Sequence, residues 1–430
     1  MNLFPLLLAL GTGGGLAMAE PLNPLTITPA VSGQFQLGWR ANNLRPYQVE
    51  CSPDLLTWEE FGTVVLGNGS NQSLTVDPIG PSRFFRLREG AVRPGFDEFK
   101  LPANDDGSTE EVSLGFSIKI FPALNGPTLW TRCFVNNNGN ITIGTPASAF
   151  TPIPLQSSAQ KIPGLIGLIA PFWADVDTRS APDVHSGARE VTYGYGTVTG
   201  HLAFGVNWFD VGYFSNEIDK LNRFQLVLID RSDHALSGNF DIEFNYNQVI
   251  WETGSYPDGG GKNGYGGYPA RCGITNGIDS TIELTHSGET IVQLDENPGS
   301  GQPNYSTGLI YRSRSSILPG RFVCQVRDGV VLGALEVNAG LDVVLGQEET
   351  STVLSGTAID PSGGALRVKW SVLIGSSRVL LSDPNILNPT VTIPVGEKAT
   401  LQLTATSTSD SNIGAADGME IKRRNGEELG

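Results

Sequence analysis

Apolar and polar residues alternate along most of this chain. Phe35, Leu37 and Trp39 fall on one face, as do Tyr47, Val49 and Cys51, then Leu74 and Val76. A period of two, broken by Gly, Asn and Pro, predicts short antiparallel strands. The same pattern returns at 115–121, 140–143, 202–208, 224–229 and 240–246. Phe224 to Ile229 is apolar at nearly every position, which predicts a central strand covered on both faces. Phe240, Ile242, Phe244 and Tyr246 alternate, which predicts a strand that buries one face only. A third set follows at 351–354, 366–372, 390–393 and 400–405, with Leu366, Val368, Trp370 and Val372 on one side. The final strand is expected near Asp417 to Ile421. Asp105-Asp106-Gly107 and Asn136-Asn137-Asn138-Gly139 are turn signals. The expected fold class is mostly β and multi-domain, with β-sandwich modules flanking a larger antiparallel β-rich domain.

Composition narrows the function. Lys plus Arg is 28 against 44 Asp plus Glu, a net charge of −16. An acidic chain with no basic cluster larger than Lys422-Arg423-Arg424 is not expected to bind nucleic acid. No apolar run long enough to span a bilayer follows the N-terminus. The N-terminus itself carries an apolar run, Leu3 to Leu10, then a Gly-rich stretch and Ala17-Met18-Ala19. Although Lys and Arg are missing from its start, this predicts an export signal over residues 1–19, cleaved before Glu20. The four cysteines are too sparse for a disulfide scaffold. Cys133, Cys272 and Cys324 fall in one stretch that has room for one bridge, with the pairing left open. Cys51 is expected as a small buried apolar residue.

Three segments resemble known modules. Residues 20–90, with the run Tyr47 to Trp58 and the closing Arg83-Phe84-Phe85-Arg86-Leu87, resemble a small fibronectin-III-like module of secreted bacterial proteins. The middle segment, 94–329, carries a series of motifs in order. They are Leu101 to Ser108, Phe134 to Gly144, Ile169 to Arg179, Val206 to Tyr213, Asn222 to Ile229, Phe244 to Tyr246 and Ile250 to Gly254. In this order they resemble the nidogen-type extracellular (NIDO) domain. That resemblance implies a non-catalytic domain of matrix and cell-surface proteins, with no catalytic residues to carry over. Ser180 to Arg189 departs from the family's short turn and reads as an insertion. Residues 335–423, including Asp360 to Leu366 and the Trp370 strand, resemble PKD-like or cadherin-like immunoglobulin-type modules. A charged tail closes the chain at 424–430.

Candidate chemistry is sparse. Gly259-Gly260-Gly261-Lys262-Asn263-Gly264 matches a dinucleotide fingerprint in letters but lacks the strand before and the helix after. The four histidines are scattered, and no Gly-x-Ser-x-Gly elbow occurs. Asp175 and Asp177 stand two apart in an extended stretch and so share a face. They are the candidate metal ligands, for Ca²⁺. The plainer expectation is that Arg179 or a backbone turn engages them, because calcium takes 6–8 oxygens. Asp105 and Asp106 are expected to cap an Asx turn. Tyr256, Tyr265 and Tyr268, in the Gly-rich loop 254–267, are candidate ligand-binding residues, since aromatic rings on a loop can anchor a protein or a sugar.

The expected protein is secreted or at the cell surface and is not an enzyme. It binds an extracellular protein or glycan through the surfaces of modules strung as an extended rod. The alternative is an extracellular carbohydrate-binding protein or a hydrolase accessory. Apart from the calcium candidate no cofactor is expected, and no transmembrane segment.

Overall fold

The computed structural model describes residues 6–10, 25–30, 33–41, 45–55, 58–67, 70–77, 82–121, 129–180, 189–233, 237–254, 261–289, 307–316, 318–332, 335–360, 363–408 and 414–424. Nearly all regular structure is β. Two large sheets make up the middle of the chain. The first has six antiparallel strands in the order Thr281–Glu283, Arg271–Thr275, Gly167–Trp173, Asn140–Ile143, Trp130–Asn136 and Val112–Ile118. The second runs Val330–Val331, Arg321–Arg327, Phe240–Gln248, Glu217–Asp230, His201–Tyr213, Val191–Val198 and Phe99–Leu101. Val176–Asp177 pairs with the His201–Tyr213 strand off this path.

One core joins the two sheets. Alternate residues of neighbouring strands supply it: Phe204 and Trp208, Phe224 and Leu228, Ile242 and Phe244 from one sheet, Ile141, Ile169 and Cys272 from the other. Trp208 stacks on Phe224 at 5.3 Å and 11°. Burying two inner faces in this way defines a sandwich. The outer face of the six-stranded sheet is also covered, because Leu168, Ala170 and Trp173 pack under Ala147, Leu155, Ile162 and Leu165. Phe224 to Ile229 is buried on both faces, as its unbroken apolar run predicts.

Phe240–Gln248 departs from the one-face expectation. Asp241, Glu243 and Asn245, on its other face, are buried too. Arg93 forks onto Glu243 at 2.7 and 3.0 Å, and Arg231 and Arg327 each pair with Asp241 at 2.7 Å. Arg321 Nε donates to Asn245 Oδ1 at 2.8 Å and lies 3.7 Å from Glu243. The polar letters of this strand are therefore a buried ionic layer. Burial alone would raise the Glu243 carboxyl, but the Arg93 and Arg321 charges, with hydrogen bonds from Arg93 and Asn245, outweigh it and hold it at about 2 against the ordinary 4.5. A depressed carboxyl adds stability above its unfolded value and loses it as pH falls through the folded one. Acid unfolding should therefore set in between pH 4.5 and 2. Glu243→Gln should be about 3 kcal/mol less stable at pH 7 and flatter across that window. Urea unfolding at stepped pH checks this, and parallel curves for parent and variant would refute it.

Smaller sheets flank the sandwich. On the N-terminal side, Pro46–Ser52, Glu59–Leu66 and Ser82–Glu89 form one sheet and Thr26–Pro29, Phe35–Arg40 and Asn71–Val76 another. They enclose Leu37, Trp39, Tyr47 and Phe85, while Cys51 is only half-buried. Leu6–Leu10, part of the expected export signal, pairs in parallel with Ser82–Glu89 in the full-length chain. On the C-terminal side, a four-stranded sheet of Val343–Leu345, Gly414–Arg423, Ala399–Ser407 and Leu366–Ile374 packs around Trp370, Leu401, Leu403 and Ile421. Its last strand is ten residues long, twice the expected stretch.

The joints are not bare linkers. Asn247 bridges Glu89 and Val92 on the N-terminal side, and Ser313 exchanges hydrogen bonds with Ala416 on the other. All four cysteines are free, so the bridge for which 133–324 had room is not made.

Candidate functional site

Three loops meet beside the edge of the larger sheet. The first is Asn104 to Gly107, just after the Phe99–Leu101 strand. Its turn is held by Asn104, whose Oδ1 accepts from Gly107 N at 2.6 Å. The capping role expected of Asp105 and Asp106 therefore falls to their neighbour, and the two carboxylates are left for other contacts.

The second loop is Asn137 to Gly139, between two paired strands. Its asparagine side chains are buried, although its letters read as an exposed turn. Asn137 Nδ2 donates to the carbonyls of Asp105 and Val176. Asn138 Nδ2 donates to Asp106 Oδ1 at 2.8 Å, and its Oδ1 accepts from Val176 N at 2.9 Å. This turn is the clasp that holds the other two loops together.

The third is Ala174 to Arg179. Here Asp175 and Asp177 part company. Arg179 grips Asp177 through Nε at 3.0 Å and Nη2 at 2.6 Å, and the amides of Arg179 and Asn216 also donate to it. Asp177 is thus a fully engaged structural anion, the plainer of the two expectations. Asp175 points instead toward the first loop. Carboxylate oxygens of Asp105, Asp106 and Asp175 lie within 4.8 Å of one another. Asp175 is 6% exposed, and among the described residues its carboxylate has neither hydrogen bond nor ion pair. Gly254 makes room for it, since a Cβ there would lie 2.6 Å from Asp175 Oδ2. Arg179 Nη2 reaches Asp105 Oδ2 at 3.2 Å, but Asp105 Oδ1 is buried without a partner.

The electrostatics follow from this crowding. Burial, then the charges of Asp105, Asp106 and Asp177, push the Asp175 carboxyl up to about 8. Burial and the same neighbours push Asp105 up to about 6 and raise Asp106. Four carboxylates share one guanidinium.

The Gly-rich loop resolves differently. Gly261–Lys262 and Tyr265–Gly266 form a tight hairpin. Tyr265 packs back, its hydroxyl donating to Ile250 O at 3.0 Å with Lys220 Nζ 5.7 Å from its ring. Tyr268 is 54% exposed. Tyr256 lies outside the described residues. The three tyrosines are therefore not shown to form one surface. The sequence alone does not reveal a second aromatic group. Phe99 stacks on Tyr193 at 5.5 Å and meets Tyr195 edge-on at 6.2 Å, with Phe99 and Tyr195 both exposed at the sheet edge.

A family model described as the nidogen-like domain matches residues 131–328. The chain carries a nidogen-like domain. That match takes in the clasp turn, the Asp175 loop, the 261–266 hairpin and Tyr268, whereas Asp105 and Asp106 lie N-terminal to it. Alpha-tectorin of mouse and of human is 26% identical over 251 residues, and that of chicken 26% over 247. Each alignment covers 54% of this chain and 10% of the relative, so the chain spans about a tenth of the length of these relatives. Among solved structures, the PKD domain of human KIAA0319 is 13% identical, covering 22% of this chain and 88% of that one at a TM-score of 0.19. A nucleoside hydrolase-related hypothetical protein from Saccharophagus degradans is 20% identical, covering 20% and 23% at a TM-score of 0.18. Both likenesses are too partial to bear on fold or function. No helix among the described residues is long and apolar enough to cross a membrane.

Proposed function

We propose that this chain is an extracellular, matrix-type protein, secreted or held at the cell surface, that acts by adhesion and not by catalysis. The observation that carries this reading is the nidogen-like match across the central sandwich. In this reading residues 1–19 are removed on export, and 20–90, 94–329 and 335–423 are its units. The middle unit presents the surface that binds an extracellular protein or glycan. Tyr268 supplies an exposed aromatic ring on this unit, the kind of side chain that anchors a partner.

Binding of the purified full-length protein to immobilised matrix-protein and glycan panels tests the proposal. A saturable partner should be found, and Tyr268→Ala should weaken it about tenfold, which is 1.4 kcal/mol. Because Tyr268 is exposed, the variant should melt within about 1 °C of the parent. Silence across both panels, or turnover in a hydrolase screen, would overturn the reading. Undiminished binding by Tyr268→Ala would remove the tyrosine from it.

A further inference from the structure

We propose that Asp105, Asp106 and Asp175 together bind one calcium ion, which pins the loop after Phe99–Leu101 to the loop before Val176–Asp177. The three carboxylates converge from segments about 70 residues apart, with oxygens near enough to share one ion. Two ligands on an ion at about 2.4 Å, within the calcium range, stand at most about 4.8 Å apart. The independent sign of a ligand is Asp175 itself. It is more than nine-tenths buried, is aimed at the other two, and has no protein partner among the described residues. Asp105, whose carboxylate belongs to the same cluster, has its Oδ1 buried without a hydrogen-bond partner. Native structures rarely leave a buried oxygen such as Asp105 Oδ1 unsatisfied.

Charge supports the same conclusion. Arg179 is committed to Asp177 and reaches only one oxygen of Asp105. Three further carboxylates then share what remains of a single positive charge, and a divalent cation is the natural complement. Donor chemistry selects the ion. The cluster offers oxygen only, with neither His nor Cys, which disfavours zinc. Asp105 and Asp106 are half-exposed and leave a side open to water, which would complete the 6–8 oxygens that calcium accepts in irregular geometry. Magnesium demands a tighter octahedron at about 2.0–2.1 Å. The site differs from the Asp175 and Asp177 pair that spacing suggests, because Arg179 takes Asp177 out of it.

Calorimetric titration of the chelator-treated full-length protein with CaCl2, and separately MgCl2, tests the assignment together with melting curves. One calcium should bind per chain, more tightly than magnesium. At a hundredfold excess over Kd the melting temperature should rise by about 5 °C or more. Asp175→Asn should lose at least tenfold in calcium affinity, yet without calcium it should melt no lower than the parent, since it takes one carboxyl out of a crowded acidic cluster. Asp106→Asn, on a half-exposed side chain, should also lose affinity and serves if the first variant does not fold. No heat and no melting shift at 10 mM CaCl2 (roughly ten times the weakest extracellular sites), or an undiminished response in both variants, would overturn the proposal.

Discussion

Trp173→Ala should lower the stability of the nidogen-like sandwich by about 3–5 kcal/mol. The ring is fully buried at the end of the Gly167–Trp173 strand, on the face turned away from the main core. It packs with Leu168, Leu155, Ile162 and Leu165, and its Nε1 donates to Ala149 O at 2.7 Å. Removing it opens a cavity and leaves that carbonyl unpaired under a cover made of loop and one short 3-10 helix. Such a cover has few cross-strand bonds to hold it once the ring is gone. Domains of this kind are stable by about 5–15 kcal/mol, so the variant should unfold far earlier in urea. The measurement is far-UV circular dichroism against urea, followed through the transition of the central sandwich. A variant with the parent's midpoint would mean that the 145–165 cover does not depend on this ring.

Gly139→Ala should do comparable or greater damage at a position with no side chain to lose. Gly139 has φ of +72° and ends the buried asparagine turn. A Cβ there would come 1.8 Å from the carbonyl oxygen of Phe172, which backbone cannot yield cheaply. The same glycine's carbonyl accepts from Phe172 N at 3.2 Å, so the turn and the neighbouring strand would separate together. Left-handed strain and overpacking add to about 2–6 kcal/mol. Loss of soluble full-length protein, or a midpoint shifted as far as that of Trp173→Ala, is the expected result. A soluble variant with the parent's melting curve would show that the turn can move away from the strand.

The strands were legible because burial writes itself as a period of two. Asn140–Ile143, the 202–208 and 224–229 runs and the Trp370 strand all lie where alternation or an unbroken apolar run places them. What stayed illegible are the polar residues the fold buries. Glu243 and Asn245 look like a solvent face, because the covering Arg93 lies 150 residues away in sequence. Asn137 and Asn138 look like an exposed turn, because nothing local announces that they bridge two distant loops. The acidic cluster was illegible for the same reason. Asp175 and Asp177 were paired by proximity along the chain, whereas the sheet topology pairs Asp175 with Asp105 and Asp106 and gives Asp177 to Arg179.

The unpaired thiols make the central sandwich its own reporter of opening. Cys133, Cys272 and Cys324 are at most 2% exposed, and burial raises all three thiols further from the reactive thiolate. A thiol reagent added to native protein has only the half-buried Cys51 within reach. Labelling of the other three must wait for the two sheets to part, so its rate counts those events directly. With no disulfide to form, the same sandwich needs no oxidant to reach its native state.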